Sequence, residues 1–158
     1  MDLPPLSVPG LIRSLRALLA AGCFFALAIF AQAQATPQET FDAFKKAFGA
    51  RDAAGITALM KASDAEKEGL TKALPSLPEE GLKEITSAVL ADVKIHGDAA
   101  IGVVMIVRNG AKNYDNQFFI KEGGKWFITD TLPSEETKKA LSDWYDGRVK
   151  ELQAADKK

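Results

Sequence analysis

The sequence predicts an α+β fold: N-terminal helices packed on a curved antiparallel four-stranded meander, plus an added C-terminal helix. Three observations predict it. Apolar residues recur at three- and four-residue spacing from Phe41 to Leu74. The period then falls to two, and from Val89 to Thr131 apolar runs are divided by Gly97-Asp98, Asn109-Gly110 and Gly123-Gly124. Helical spacing returns through Leu141, Trp144, Tyr145, Val149 and Leu152.

Each element has a local reason. Thr36-Pro37-Gln38-Glu39 is a helix start, with a cap, a proline preset for the first turn and a capping-box carboxylate. Phe41, Phe44, Ala47 and Phe48 then form one apolar face, expected to lie on the sheet. Arg51-Asp52 opens a second helical run with Ile56, Leu59 and Met60 on its apolar side. Ser63-Asp64 opens a third, which Pro75 ends. The segment 74–81 is turn-rich, and 82–87 reads as a short helix. In the first strand Val89, Ala91, Val93 and Ile95 alternate with Leu90, Asp92, Lys94 and His96. The run 99–107 is almost wholly apolar and reads as a central strand. Residues 114–121 and 125–131 complete the meander, whose connections are too short for parallel crossovers. Glu135 and Glu136 mark the start of the last helix.

Residues 1–33 read as a signal peptide that is removed. Arg13 and Arg16 are the only basic residues before Lys45, the stretch 17–31 is uncharged, and Ala31-Gln32-Ala33 is a small-x-small cleavage site. Cleavage is expected before Gln34, with a second small-x-small site ending at Ala35. A retained span would need roughly 20 apolar residues, more than this run supplies. A lipoprotein anchored at Cys23 is the minor alternative, because Ala20-Ala21-Gly22-Cys23 resembles a lipobox. The chain is therefore expected to be exported, to the periplasm or beyond, and to meet a membrane only through this leader. Residues 34–158 are expected to form one domain: a core over 34–131, a helix over 132–153 and a frayed tail over 154–158.

Composition excludes several function classes. The whole chain of 158 residues has Lys+Arg 20 and Asp+Glu 21, so no general affinity for nucleic acid is expected. One Cys and one His leave no disulfide framework and no legible metal site, and no cofactor fingerprint is present.

The order of elements, "ARDAAGITALM" over 50–60 and "GGKWFITD" over 123–130 resemble the nuclear-transport-factor-two-like superfamily, in particular its exported bacterial small domains of unknown function. Gly124, Trp126 and Ile128 match the final Gly-x-Trp-x-Ile strand of that branch. The resemblance covers roughly residues 37–131 and implies a cone-like α+β core with a pocket between helix and sheet. It implies no single activity, since that fold carries isomerases, dehydratases, carriers and binders. Domains of that layout end near the last strand, whereas here a helix follows. A homodimer is left open.

Phe44, Phe48, Tyr114 and Trp126 are the candidate pocket lining, aromatic walls with one hydroxyl to orient a ligand. Asn116 shares the facing of Tyr114. Three residues are candidates for chemistry. Asp130, at the end of the last strand, is a carboxylate base if partly desolvated. Tyr114 would donate to a developing oxyanion. His96, the only histidine, is of the residue type suited to a general base but falls on the polar side of its strand. The leading functional reading is an exported, non-catalytic module binding a small, largely apolar ligand. The alternatives are an isomerase- or dehydratase-like enzyme using Asp130 and Tyr114, and an envelope interaction domain presenting Trp144 or Tyr145 on the C-terminal helix.

Overall fold

The computed structural model describes residues 34–157. The expected leader, its expected site at Ala31 and Ala33, and Cys23 lie outside the described residues. Two capping boxes set the first helices. Thr36 caps α1 (Pro37–Gly49), its hydroxyl accepting from Glu39 N–H while the Glu39 carboxylate accepts from Thr36 N–H. Ser63 and Glu66 repeat the device at α3 (Asp64–Ala73). Between them lies α2 (Ala53–Ala58), capped by Asp52. A 3-10 turn (Leu74–Ser76) leads to α4 (Glu79–Ser87), the short helix expected there.

Four antiparallel strands follow: β2 (Val89–His96), β3 (Ala99–Arg108), β4 (Ala111–Glu122) and β5 (Lys125–Thr129). Asn109 and Gly110 both have positive φ, as do Gly123 and Gly124, so both hairpins use two-residue turns. The last helix, α5, runs Glu135–Ala155. This is the layout the resemblance implied, helices before an antiparallel meander.

The sheet has a fifth member that the sequence did not predict. β1 (Met60–Lys61) pairs in parallel with Ile128 and Thr129, giving the order β1-β5-β4-β3-β2. The spacing of Ile56, Leu59 and Met60 suggested one helix through this point. The helix instead ends at Ala58, and the Leu59 carbonyl accepts the Ile128 N–H at 2.9 Å. An edge donor of β5 is thereby satisfied by the chain leaving α2.

The two faces of the sheet carry separate cores. On the inner face Leu90, Ala100, Val104, Phe119, Trp126 and Ile128 pack with Phe41 of α1. On the outer face Ala99 and Ile101 pack with Leu141 of α5. A third cluster joins the helices: Ala47, Phe48, Ile56 and Leu74. The α1 phenylalanines therefore divide. Phe41 meets the sheet, Phe48 points among the helices, and half-buried Phe44 touches both clusters. The alternation expected in β2 also breaks. A bulge between Leu90 and Asp92 puts Leu90 and Val93 on the inner face together, three residues apart, and leaves Val89 exposed.

Arg51 holds the helical layer at one corner. It sits at φ 52, and its guanidinium donates to the carbonyls of Leu74 (2.8 Å) and Leu77 (3.0 Å) and to the Glu79 carboxylate (2.9 Å). These groups bound the 3-10 turn, where the Leu74 carbonyl also accepts the Leu77 N–H at 3.3 Å. Replacing Arg51 by methionine keeps the stem and removes every donor. The expected cost is about 2–3 kcal/mol in denaturant unfolding, with Arg51→Lys recovering under half. A loss below about 0.5 kcal/mol, the scale of an ordinary surface change, would show that packing alone holds the turn.

Candidate functional site

The inner face divides into a filled part and an open part. Under α1 it is filled, with Phe119 at 0% exposure and Trp126 at 3%. Beyond that core, Phe44, Met60, Val93 and Ile106 are half-buried and pack against its edge. Beside Ile106, β4 presents a polar strip. Asn113 pairs with Ile106, Asp115 with Val104 and Gln117 with Gly102, so all three share the inner facing. Arg108 closes the strip. Its Nε donates to the Glu84 carboxylate of α4 at 3.0 Å, and its Nη1 stands 4.0 Å from Asp115. The Asp115 side chain is 56% exposed. An apolar shelf beside a short row of amides and one accessible carboxylate can hold a small molecule and fix its orientation.

The candidate lining residues do not converge on one pocket. Trp126 is part of the inner core. Phe44 and Phe48 lie against each other, ring centroids 4.8 Å apart. Tyr114 lies on the outer face, where its hydroxyl donates to Asp156 of α5 at 2.6 Å. The reason is register. The Gly123-Gly124 turn pairs Trp126 with Lys121 and Ile128 with Phe119, so the inner face takes the odd-numbered residues of β4. Tyr114, Asn116 and Phe118 consequently face outward, and Asn113, Asp115 and Gln117 replace them.

The chemical candidates separate too. Asp130 is exposed, accepts from the Thr131 hydroxyl at 2.8 Å, and lines a cleft of ≈ 370 Å³ with Lys61, Ser63 and Glu66. Tyr114 lines another cleft, ≈ 610 Å³, with Lys112, Gln153 and Asp156. The two share no residue, so Asp130 and Tyr114 cannot act on one substrate atom. His96 is exposed at the end of β2. Among the described residues no group of His, Cys, Asp and Glu could hold a metal ion, and no helix is long and apolar enough to cross a membrane.

The outer face is where α5 docks. Leu141 is 1% exposed, and Trp144 and Tyr145 pack on the same cluster as Phe118 and Leu132. The Tyr145 hydroxyl donates to the Tyr114 carbonyl at 2.9 Å. Trp144 and Tyr145 therefore seat the helix on the sheet and do not present an exposed patch. Arg148 reaches Asp92 at the β2 bulge, Nε to Oδ2 2.6 Å. The expected frayed tail is also corrected: α5 continues to Ala155, and Asp156 is clasped by Lys112 and Tyr114.

That clasp moves three pKa values. Hydrogen bonds from Lys112, then Tyr114, hold the Asp156 carboxyl below its ordinary value. The hydrogen bond to Asp156 raises both Lys112 and Tyr114. Because the folded Asp156 pKa is depressed, its contribution is present above the unfolded carboxylate pKa and lost as pH falls through the folded one. The last turn of α5 is therefore expected to loosen in acid before the rest of the domain. Amide exchange at Gln153–Asp156 measured against pH would report it, and Asp156→Asn should remove the dependence. Identical pH profiles in both proteins would dismiss the clasp.

No protein-family model and no curated protein matches the chain. Among solved structures the chain is similar to an NTF2-like protein from Campylobacter jejuni that carries a provisional transpeptidase name. The two are 19% identical, with a TM-score of 0.41, over 61% of this chain and 99% of that one. A likeness at that level says nothing about the site, and the α+β architecture rests on the elements and registers described above.

Proposed function

We propose that the chain is an exported, non-catalytic module of the cell envelope that reversibly binds a small, largely apolar ligand on the inner face of β3 and β4. One observation carries this reading. Half-buried Ile106 lies opposite Asn113, and Asn113, Asp115 and Gln117 run as a polar strip along the same inner face. The apolar shelf supplies affinity and the strip supplies orientation. The absence of catalysis in this proposal is motivated by what the polar groups are doing. The described groups with displaced pKa values are Lys112, Tyr114, Lys139, Tyr145, Arg148 and Asp156, all on α5 or the strand face beneath it. Lys112, Tyr114, Tyr145, Arg148 and Asp156 join α5 to the sheet, and Lys139 pairs with Asp143 one turn along the same helix. The leader read over residues 1–33 would deliver the domain across the inner membrane.

The test is native mass spectrometry of the protein purified from the envelope of its own producer, followed by amide chemical-shift mapping of any retained compound. Shifts centred on Ile106, Asn113 and Asp115 are expected, with at least tenfold weaker binding in the Asp115→Ala, Asn113→Ala double variant. Shifts confined to the cleft between Tyr114 and Asp156 would move the site to the other face and end this reading.

A further inference from the structure

We infer that the mature chain begins at Gln34 and that this residue is cyclised to pyroglutamate. The inference rests on the reading of residues 1–33 as a removed leader. Gln34 belongs to the folded domain: its carbonyl accepts the Trp126 N–H at 2.8 Å. Two residues further along β5, the Ile128 N–H is taken by the Leu59 carbonyl at 2.9 Å. The outer edge of β5 is thus closed at two points, by Gln34 and by the entry to β1. Trp126 is itself buried, so its N–H has no ready exchange with water. Cleavage at the second small-x-small site, after Ala35, would discard the acceptor and leave that donor unpaired. Cleavage after Ala33 keeps it.

Processing at Ala33 places a free α-amine on Gln34, whose own side-chain carboxamide lies within reach of a five-membered ring. The amine nitrogen attacks the carboxamide carbon. The new N–C bond closes the lactam, the C–NH₂ bond breaks, and the nitrogen leaves as ammonia with a proton from the attacking amine. No electrons are transferred and no co-reactant is needed. Two features favour the ring in this fold. The α-carbonyl is not consumed, so its bond from Trp126 survives. Cyclisation also removes the terminal ammonium, and Glu39, the nearest carboxylate in sequence, already accepts from the Thr36 N–H at 3.1 Å.

The experiment is intact-mass measurement of the full chain as processed and purified from its own producer, with fragmentation of the N-terminal peptide. The expected species starts at Gln34 and is lighter by one ammonia. A Gln34 start with a free amine overturns the cyclisation. A Thr36 start overturns the sheet-edge assignment. A chain still carrying Met1 overturns the leader reading itself and is distinguishable from both. Gln34→Ala keeps the backbone acceptor but cannot cyclise. It should yield a free-amine terminus at position 34 with thermal stability unchanged. Loss of stability in that variant would show that the side chain, and not the carbonyl, is what the fold uses.

Discussion

Phe119→Ala is expected to cost about 3–5 kcal/mol of unfolding free energy, the largest single effect in this domain. Phe119 has no exposure and belongs to the inner core with Phe41, Leu90, Trp126 and Ile128. Its ring also fills space that its neighbour gives up. Gly102 carries no side chain on the inner face, and a Cβ there would stand 3.2 Å from Phe119 Cε2 and 2.4 Å from Leu90 Cδ1. Truncating the ring leaves a void that β-strand backbone on both sides cannot close. Denaturant titration measures the cost. A loss under about 1 kcal/mol would mean that the helices collapse onto the sheet, and that this core is less rigidly packed than its burial implies. Phe118→Ala is the internal control. Phe118 is half-buried on the outer face, so it should cost clearly less.

Leu141→Ala is expected to cost about 2–5 kcal/mol and to act on a different layer. Leu141 is the one buried residue of α5, and it sits on Ala99 and Ile101. Trp144 and Tyr145 add half-buried packing beside it, and the remaining attachments of α5 are polar: Arg148 to Asp92, Tyr145 to the Tyr114 carbonyl, and the Asp156 clasp. Solvent-accessible ion pairs contribute little, on the order of 0–1 kcal/mol each, so the apolar contact carries the docking. The variant should therefore lose α5 before it loses the sheet. Limited proteolysis between Asp130 and Ser134 would detect this as a cut that appears well below the unfolding midpoint. A single cooperative transition with no early cut would show that α5 and the meander are one folding unit.

Most elements were legible because their signals are local. Thr36 with Glu39, Ser63 with Asp64, Pro75 and the two-residue turns each specify a boundary through chemistry within a few residues. What was lost is the phase of β4. Phe118, Phe119 and Ile120 are all apolar, so alternation alone cannot say which faces the helices. The information was nonetheless in the chain. A two-residue turn at Gly123-Gly124 fixes Glu122 opposite Lys125, and stepping back along the ladder puts Phe119 with Ile128. Placing Trp126 inward thus commits Asp115 and Gln117 inward and sends Tyr114 out. The bulge at Ala91 was not legible, since a one-residue phase slip leaves no mark in a strand with apolar residues on both parities. β1 was hidden for another reason. Two residues at a helix end have no period, and their pairing depends on a strand 68 positions later.

That distance, with the Gln34 contact to Trp126, sets the order in which the chain can commit to its native topology. The hairpins joining β2 to β3, β3 to β4 and β4 to β5 close over two-residue turns and involve little loop entropy. Capping β5 from outside requires the opening residues of the domain to wait until almost the whole sheet has been synthesised. On the export route proposed above, a chain threaded N-terminus first through a translocation pore would deliver those residues earliest and use them last. The domain therefore has a built-in interval in which its helices exist without their sheet, and any holding factor that shields apolar helix faces would act in that interval.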